Sequence, residues 1–186
     1  MATLFNINKE KKEKYIFAKP GKYIVFFKNL SGKFIFELKE KGINLDIYGL
    51  FVGKNKDQFK VETIQNHLGP GSTSNLLIKG VFYDESKFIY QGLIRIEKEA
   101  QKSHAYQKNQ NLIMSDECFV DSRPFLEILA NDVYCTHGST TGKLNRDQIY
   151  YLQTRMINKK SAENLLIDGF IQEIPEKIKQ YGFSIA

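Results

Sequence analysis

Apolar and polar residues alternate in short runs along the first two thirds of the chain. In one such run, Phe34, Phe36 and Leu38 alternate with Lys33 and Glu37. A period of two is typical of a β-strand that buries one face and exposes the other. The strands predicted in this way span residues 23–27, 33–39, 43–47, 59–63, 76–82, 88–96 and 112–114. The polar segment that ends at Tyr15 either frays or adds an edge strand.

Turn-forming residues separate these runs, at 31–32, 41–42, 53–55, 69–72 and 84–86. About nine strands in about 130 residues, with no helical stretch among them, predict an all-β unit. The spacing of the runs is irregular, and no fixed repeat is visible. The pattern alone therefore leaves a sandwich, a barrel and a β-solenoid open.

The pattern changes to a helical period after Gly142. Asn145 and Gln148 fit the first and last positions of a capping box, which predicts a helix start. Asn158 is a second predicted N-cap, and Pro175 is placed to open a short third helix. We therefore divide the chain into a β core, residues 1–142, and a C-terminal helical segment, residues 143–186.

The predicted helices carry a broad apolar stripe. It consists of Ile149, Leu152, Met156, Ala162, Leu165, Leu166, Gly169 and Phe170. Two helices of this size cannot bury that much apolar surface between themselves. They either pack on their own sheet or present a face to a partner.

Composition narrows the class of protein. The chain has 186 residues and a formal net charge of +6, yet only four of its 27 basic residues are arginine. Bidentate recognition of phosphate and guanine is arginine chemistry, so we expect no nucleic-acid partner. No apolar run approaches the roughly 20 residues of a membrane span, and the N-terminus has no signal-peptide pattern, so we expect a cytoplasmic protein without membrane contact. Two cysteines are too few for a disulfide framework and are expected to be thiols.

Cys135 and His137 are the residues with the clearest chemical potential. They lie two positions apart in a predicted strand, so both side chains leave the same face with Cα atoms about 7 Å apart. That arrangement suits two ligands of one metal or cluster, whereas a closed site needs four. The candidates to complete the set are His67, His104 and Cys118, and Asp132 is a candidate to orient His137. A packed cysteine beside a hydrogen-bonded histidine is the alternative interpretation.

Two enzyme motifs are incomplete. Residues 138–143, GSTTGK, have three residues between the glycines where a phosphate-binding loop needs four, and Leu144 stands where that loop needs serine or threonine. A Cys/His nucleophile pair on one strand is an unusual geometry for catalysis. We therefore expect a non-enzyme, with a cysteine-dependent enzyme on an unrelated β fold as the alternative.

A series of short motifs in a fixed order carries a family resemblance. The motifs are GVF at 80–82, YQGLI at 90–94, AQKSHAYQ at 100–107, NLIMSD at 111–116, RPFLEI at 123–128, NDVYCTHGSTTG at 131–142, YLQTR at 151–155 and GF at 169–170. Together they resemble the C-terminal core of the SufB/SufD family, the scaffold proteins of the SUF iron–sulfur cluster assembly system. The resemblance is dense from Gly80 to Phe170 and faint before that.

The resemblance implies a fold and partners. It implies a right-handed parallel β-helix followed by two or three C-terminal helices that bind the ABC-type ATPase SufC. It also implies pairing through the ends of the β-helix, with a SufB-like subunit or with a second copy, and a nascent cluster or iron that is held transiently rather than tightly. The residues implied in ATPase binding, or in the packing behind it, are Leu152, Leu165, Leu166 and Phe170.

The resemblance also indicates a branch. The SufB branch has a cysteine where this chain has Asn109, and a His-Glu pair where this chain has His137 and Gly138. The sequence is thus SufD-like, which implies His137 as an iron or cluster ligand and Cys135 as its neighbour. Family members carry a longer N-terminal region, so we expect an N-terminally shortened form, cytoplasmic or in an organelle stroma. An ATPase-binding module without cluster chemistry remains the alternative.

Overall fold

The computed structural model describes residues 2–185, which form eleven strands followed by two helices. The strands are β1 (Ala2–Asn6), β2 (Lys14–Phe17), β3 (Gly21–Lys28), β4 (Gly32–Leu38), β5 (Ile43–Gly53), β6 (Gln58–His67), β7 (Thr73–Phe82), β8 (Lys87–Ile96), β9 (His104–Ile113), β10 (Phe119–Ile128) and β11 (Tyr134–Gly142). The helices are α1 (Arg146–Thr154) and α2 (Lys159–Lys179). Neither helix combines the length and the apolar character that crossing a membrane requires.

The strands alternate between two parallel sheets. Sheet A has the order β1-β3-β5-β7-β9-β11, and sheet B has the order β10-β8-β6-β4-β2. Each turn of the chain therefore adds one strand to each sheet, and every pairing is parallel. This winding is a parallel β-solenoid, so the β-helix prediction is confirmed.

The unequal length of the turns explains why no repeat is visible in the sequence. In sheet A, Lys22 pairs with Asn44, Asn44 pairs with Thr73, and Thr73 pairs with His104. Partners in the sheet lie one turn apart, and the interval between them increases from each of these pairs to the next. Most of the first increase lies in the strands, because β5 and β6 have 11 and 10 residues where β3 and β4 have 8 and 7, and the rest lies in the corners between them.

Aromatic side chains fill the space between the sheets. The Phe27 and Phe34 rings lie 5.4 Å apart between their centroids, and Phe88 lies 4.9 Å from Phe51 and 5.0 Å from Phe82. All five rings are fully buried. The alternation along each strand directs them inward, and the tilted and stacked ring pairs are of the kind that stabilises aromatic cores.

Four strands were not in the set predicted from alternation, namely β1, β2, β10 and β11, and of these β11 was predicted only as the strand that holds Cys135 and His137. The strands β1 and β2 are the edge strands of the two sheets at the N-terminal end. This agrees with one of the two expectations for the segment that ends at Tyr15, namely that it adds an edge strand. The strand β10 escaped prediction because it contains Pro124 and has no alternation of apolar and polar residues. Proline is tolerated in edge strands, and β10 is the last strand of sheet B.

The helix starts agree with the predicted caps. The Asn145 side chain accepts hydrogen bonds from the backbone N–H groups of Asp147 and Gln148, at 2.8 and 3.3 Å. The Asn158 side chain accepts from the Ser161 N–H at 2.9 Å. Each cap satisfies N–H groups that the first helical turn leaves without a partner.

The prediction that a short third helix begins at Pro175 is wrong, because Pro175 lies inside α2. Proline lacks the N–H that would bond one turn back, and this costs a helix interior about 3 kcal/mol. On either side of it, Ile174 and Ile178 are fully buried in the cluster that joins α2 to sheet A. Their packing against Ile24 and Leu77 offsets the lost bond, and the helix continues through the proline.

Candidate functional site

The solenoid ends in two strands that each lack a neighbour on one side within residues 2–185. The strand β11 is the last of sheet A, and β10 is the last of sheet B. We call this the open end, defined by Phe119–Ile128 and Tyr134–Gly142. Large apolar side chains are exposed in it or directly beside it, namely Phe119, Phe125, Leu126, Ile128, Leu129 and Tyr134.

Cys135 and His137 lie on the inward face of β11. Cys135 pairs in register with Ala105, and His137 pairs with Gln107. Since Ala105 and Gln107 are buried in the interior, their neighbours on β11 point to the same side. His137 is nevertheless exposed, because no further turn of the solenoid covers it within residues 2–185. The prediction that both side chains share one face is therefore confirmed.

Cys135 has the properties of a packed thiol. It contacts a small apolar cluster that includes Ile94, Ile96 and Ala130. Burial raises the pKa of the Cys135 thiol to about 11. A catalytic cysteine needs the opposite shift, toward the thiolate, so its surroundings do not favour nucleophilic catalysis.

The three residues considered for completing the ligand set lie elsewhere. Both ring nitrogens of His67 are within 2.7 Å of serine hydroxyls, and the ring is fully buried. His104 pairs in register with Tyr134, one position out of phase with Cys135, and so lies on the opposite face of sheet A. Cys118 donates a hydrogen bond to the Asp84 carbonyl near the start of β8, whereas Cys135 packs near its end.

The chain by itself thus offers two candidate ligands at the open end. Across residues 2–185, no three His, Cys, Asp or Glu side chains converge as a metal site would require. Asp132 is held through its backbone, by the Gln101 side chain and the Lys102 N–H, and its proposed role in orienting His137 remains a prediction. Any metal at Cys135 and His137 would need further ligands from a partner or from solvent.

Asn109 forms part of a buried amide pair. Its side chain and that of Asn111 exchange hydrogen bonds at 2.6 and 3.4 Å, and Asn111 also donates to the Thr141 hydroxyl at 3.3 Å. Asn109 is 1% exposed and lies beside Ser139 of β11. This position therefore holds a buried, hydrogen-bonded amide.

The two helices form a second feature, an apolar groove of about 410 Å³. Its lining residues are Asp147, Gln148, Tyr151, Leu152, Leu165 and Leu166. Leu165 is 53% exposed and Tyr151 is 57% exposed, and α1 buries none of its residues. Apolar side chains of the groove are therefore exposed to solvent.

Phe170 has different surroundings from the three leucines. The Lys79 ammonium lies 4.3 Å from the Phe170 ring centroid and donates to the Phe170 carbonyl at 2.9 Å. The same ammonium forms an ion pair with Glu173. Phe170 thus belongs to the joint between α2 and sheet A, whereas Leu152, Leu165 and Leu166 line the groove.

Sequence reasoning missed part of the exposed apolar surface. Tyr150 is 69% exposed and Met156 is 98% exposed. Tyr150 lies next to the predicted stripe without belonging to it. Met156 was predicted to share a helix face with Ile149 and Leu152, but it follows α1 with a φ of 63°. The signal for Tyr150 was the tyrosine-rich, low-charge stretch at 149–152.

Comparison with known proteins connects these features to one family. Residues 28–170 match the family described as "SUF system FeS cluster assembly, SufBD core domain". The chain belongs to the SufBD family. The matched residues run from the end of β3 to Phe170 and so include the open end and the groove.

Individual SufBD relatives are similar over part of their length. The iron–sulfur cluster assembly protein SufD of Escherichia coli is 37% identical over 109 residues, which cover 59% of this chain and 26% of that protein. SufD of Bacillus subtilis is 32% identical over 126 residues, covering 68% of this chain and 28% of that protein. A SufBD family protein of Mycobacterium leprae is 28% identical over 145 residues, covering 74% and 37%. The matches thus span between a quarter and two fifths of these relatives.

Proposed function

We propose that this protein is a SufD-like scaffold subunit of the SUF assembly complex and is not itself an enzyme. It pairs through its open end with a SufB-like subunit or a second copy, and it binds a SufC-type ABC ATPase through the groove between α1 and α2. A nascent cluster or iron is its cargo. The observation that carries the proposal is the unfinished open end, where His137 is exposed on the inward face of the last strand.

Pairing through the open end follows from its chemistry. An uncovered strand edge presents a row of unpaired N–H and C=O groups, which readily pair with another chain. Phe125 is 49% exposed and Leu126 is 39% exposed on β10. A contiguous apolar surface beside an open edge is a favourable place for a partner, because docking removes both from water.

Transient cargo follows from the ligand set. Thiolate and imidazole are suitable ligands for iron and for iron–sulfur clusters. Cys135 and His137 supply two such groups, whereas a closed site needs four. A site completed only when a partner docks would hold its cargo weakly in the isolated subunit, which is the behaviour a scaffold requires.

ATPase binding through the groove follows from its composition and its anchoring. Leu152, Leu165 and Leu166 offer apolar contacts between two helices, a usual arrangement for helix-in-groove recognition. The C-terminal half of α2 is fixed on sheet A by Ile174 and Ile178. A rigid anchor on one half of a helix would transmit movement of a bound ATPase to the solenoid.

Co-purification tests the ATPase contact. Tagged protein would be co-expressed with a SufC-type ATPase, and the recovered ATPase quantified against the bait. Leu165→Asp should reduce recovery at least tenfold, because it places a charge in the apolar groove. Gln172→Asp is the control, since Gln172 is exposed on the same helix outside the groove. Equal recovery with both variants would remove the groove from the proposal.

Iron–sulfur reconstitution tests the cargo role and separates the alternative module. The protein would be reconstituted together with its SufB-like partner, and cluster content followed by absorbance and iron analysis. His137→Ala should lower the content severalfold. Thr136→Ala, on the outward face of the same strand, should leave it unchanged. If His137→Ala left the cluster content unchanged while ATPase binding remained intact, the result would favour an ATPase-binding module without cluster chemistry.

A further inference from the structure

A buried amide lies beside His137 in the sheet. Gln107 on β9 pairs in register with His137 on β11, and both side chains are on the inward face. Gln107 is 1% exposed. Neighbouring strands are about 4.8 Å apart, so an imidazole and an amide on adjacent strands are within reach of each other.

A hydrogen bond to sheet B fixes the orientation of the Gln107 amide. Gln107 Nε2 donates to the carbonyl oxygen of Gly92 on β8, at 3.3 Å. The close approach requires a glycine, since a Cβ at position 92 would overlap Nε2. With Nε2 engaged, Oε1 is the remaining polar atom of the side chain.

Gln107 Oε1 is buried and accepts no hydrogen bond from any residue between 2 and 185. A buried acceptor without a donor is destabilising, so native proteins rarely contain one that has no role. The register neighbour of Gln107 on β11 is His137, whose imidazole can supply an N–H, is exposed and can turn about its χ angles.

We propose that Gln107 is the positioning residue of His137. Its Oε1 accepts a hydrogen bond from one ring N–H, which fixes the tautomer and turns the other ring nitrogen, unprotonated, toward the open end. This inference rests on the proposed function, in which His137 binds iron or a cluster. Histidines that bind metals commonly donate their second N–H to a carbonyl or carboxylate, and loss of that acceptor weakens metal binding about 10–100-fold.

The chain contains a matched control for this role. Gln65 on β6 is also fully buried, and neither its Nε2 nor its Oε1 has a partner within the described residues. It belongs to sheet B and pairs with Phe36 and Ile94, away from β11. Gln107→Leu and Gln65→Leu therefore remove the same group from equally buried positions, and only the first is a neighbour of His137.

The tautomer of His137 provides a readout that a purely structural role would not change. The protein would be labelled with ¹⁵N-histidine, and the ring signals of His137 would be assigned by comparison with His137→Ala. We expect one predominant tautomer in the wild type and in Gln65→Leu, and exchange between both tautomers in Gln107→Leu. Gln107→Glu, which keeps an acceptor oxygen, should restore the single tautomer. The same spectrum in the wild type and Gln107→Leu would overturn the inference, and so would a structure with a water molecule bound to Oε1.

A second experiment measures the binding of Zn²⁺, which serves as a spectroscopically silent substitute for iron. We expect the dissociation constant to rise about tenfold or more in Gln107→Leu and to stay unchanged in Gln65→Leu. Unchanged affinity in both would also overturn the inference. Failure of the proposed function is a different result: His137→Ala would then leave cluster loading intact, whatever the tautomer spectra show.

Discussion

The Lys79 ammonium lies over the ring of Phe170, 4.3 Å from its centroid, and donates a hydrogen bond to the Phe170 carbonyl. One buried cation thus contacts both the ring and the backbone of a helical residue 91 positions further along the chain. The ion pair with Glu173, one turn later, continues the contact along α2. The joint separates the anchored half of α2 from the half that lines the groove.

This joint predicts different consequences for two residues of the same apolar stripe. Phe170→Ala should lower the free energy of unfolding by about 2 kcal/mol, because it removes a half-buried ring and its contact with Lys79. Leu165→Asp should lower it by less than about 0.5 kcal/mol, because Leu165 is largely exposed. Urea denaturation followed by circular dichroism measures both. A larger loss for Leu165→Asp than for Phe170→Ala would contradict the assignment.

His67 predicts a loss of stability in mild acid. Burial lowers the pKa of His67 to about 4, against about 6.5 for an exposed histidine. Between pH 6.5 and pH 4, the unfolded chain therefore binds a proton at His67 that the folded chain does not bind. The free energy of unfolding falls as the pH drops through this range. At pH 5 this contribution amounts to about 2 kcal/mol relative to pH 7.5.

The His67 prediction is checked by denaturation at both pH values. The variant His67→Gln keeps a polar side chain among the serines and has no group that titrates in this range. Its free energy of unfolding should change less between pH 7.5 and pH 5 than that of the wild type, and the difference should equal the contribution of His67. Parallel pH dependence in the two proteins would assign the acid sensitivity to other groups.

The open end predicts that pairing and folding respond separately to substitution. Leu126→Glu should abolish association with a SufB-like subunit or a second copy, because it places a charge on the apolar surface of β10. The free energy of unfolding of the monomer should change by about 1 kcal/mol or less, since the side chain is already partly exposed. The mass of the co-expressed complex, from light scattering on a sizing column, measures the association.

Ile16→Glu is the control for the open end. Ile16 is 54% exposed on β2, at the opposite end of the solenoid. The same change in chemistry there should leave the mass of the complex unchanged. If Ile16→Glu dissociated the complex and Leu126→Glu did not, the N-terminal end would be the pairing surface.

Pro175 predicts a stabilising substitution. Pro175→Ala restores a backbone N–H in the interior of α2 and should raise the free energy of unfolding by about 1–3 kcal/mol. The melting temperature and the urea midpoint both measure it. A decrease would mean that the local geometry of α2 at the proline is required for Ile174 and Ile178 to reach sheet A.

Local patterns predicted the local elements well. Period-two alternation located most strands of the aromatic part of the solenoid, and the caps at Asn145 and Asn158 were assigned correctly. Both depend on interactions between residues close in sequence, so the signal is contained in a short window. The same locality explains the error at Pro175, where contacts with distant strands outweigh the local preference.

The candidate site was only partly contained in the sequence. The period of two placed Cys135 and His137 on one face, and the family motifs indicated their relevance. Which residues neighbour them depends on the register of β9 and β11, which are a full turn of the solenoid apart, and no local pattern encodes that register. The sequence therefore did not indicate that Gln107 is a neighbour of His137. It also did not distinguish Phe170 from the three leucines that line the groove.

By itself, the sequence determined that the chain has a β-rich core, a helical C-terminus and a Cys-x-His pair on one face, since these follow from side-chain order along the backbone. The family motifs implied a parallel β-helix, but only the tertiary structure decided which strands pair in each of the two sheets, that the last turn leaves His137 uncovered, and that Lys79 anchors α2. These depend on which distant segments become neighbours. Because the turns differ in length, the spacing of residues along the chain does not reveal which of them meet.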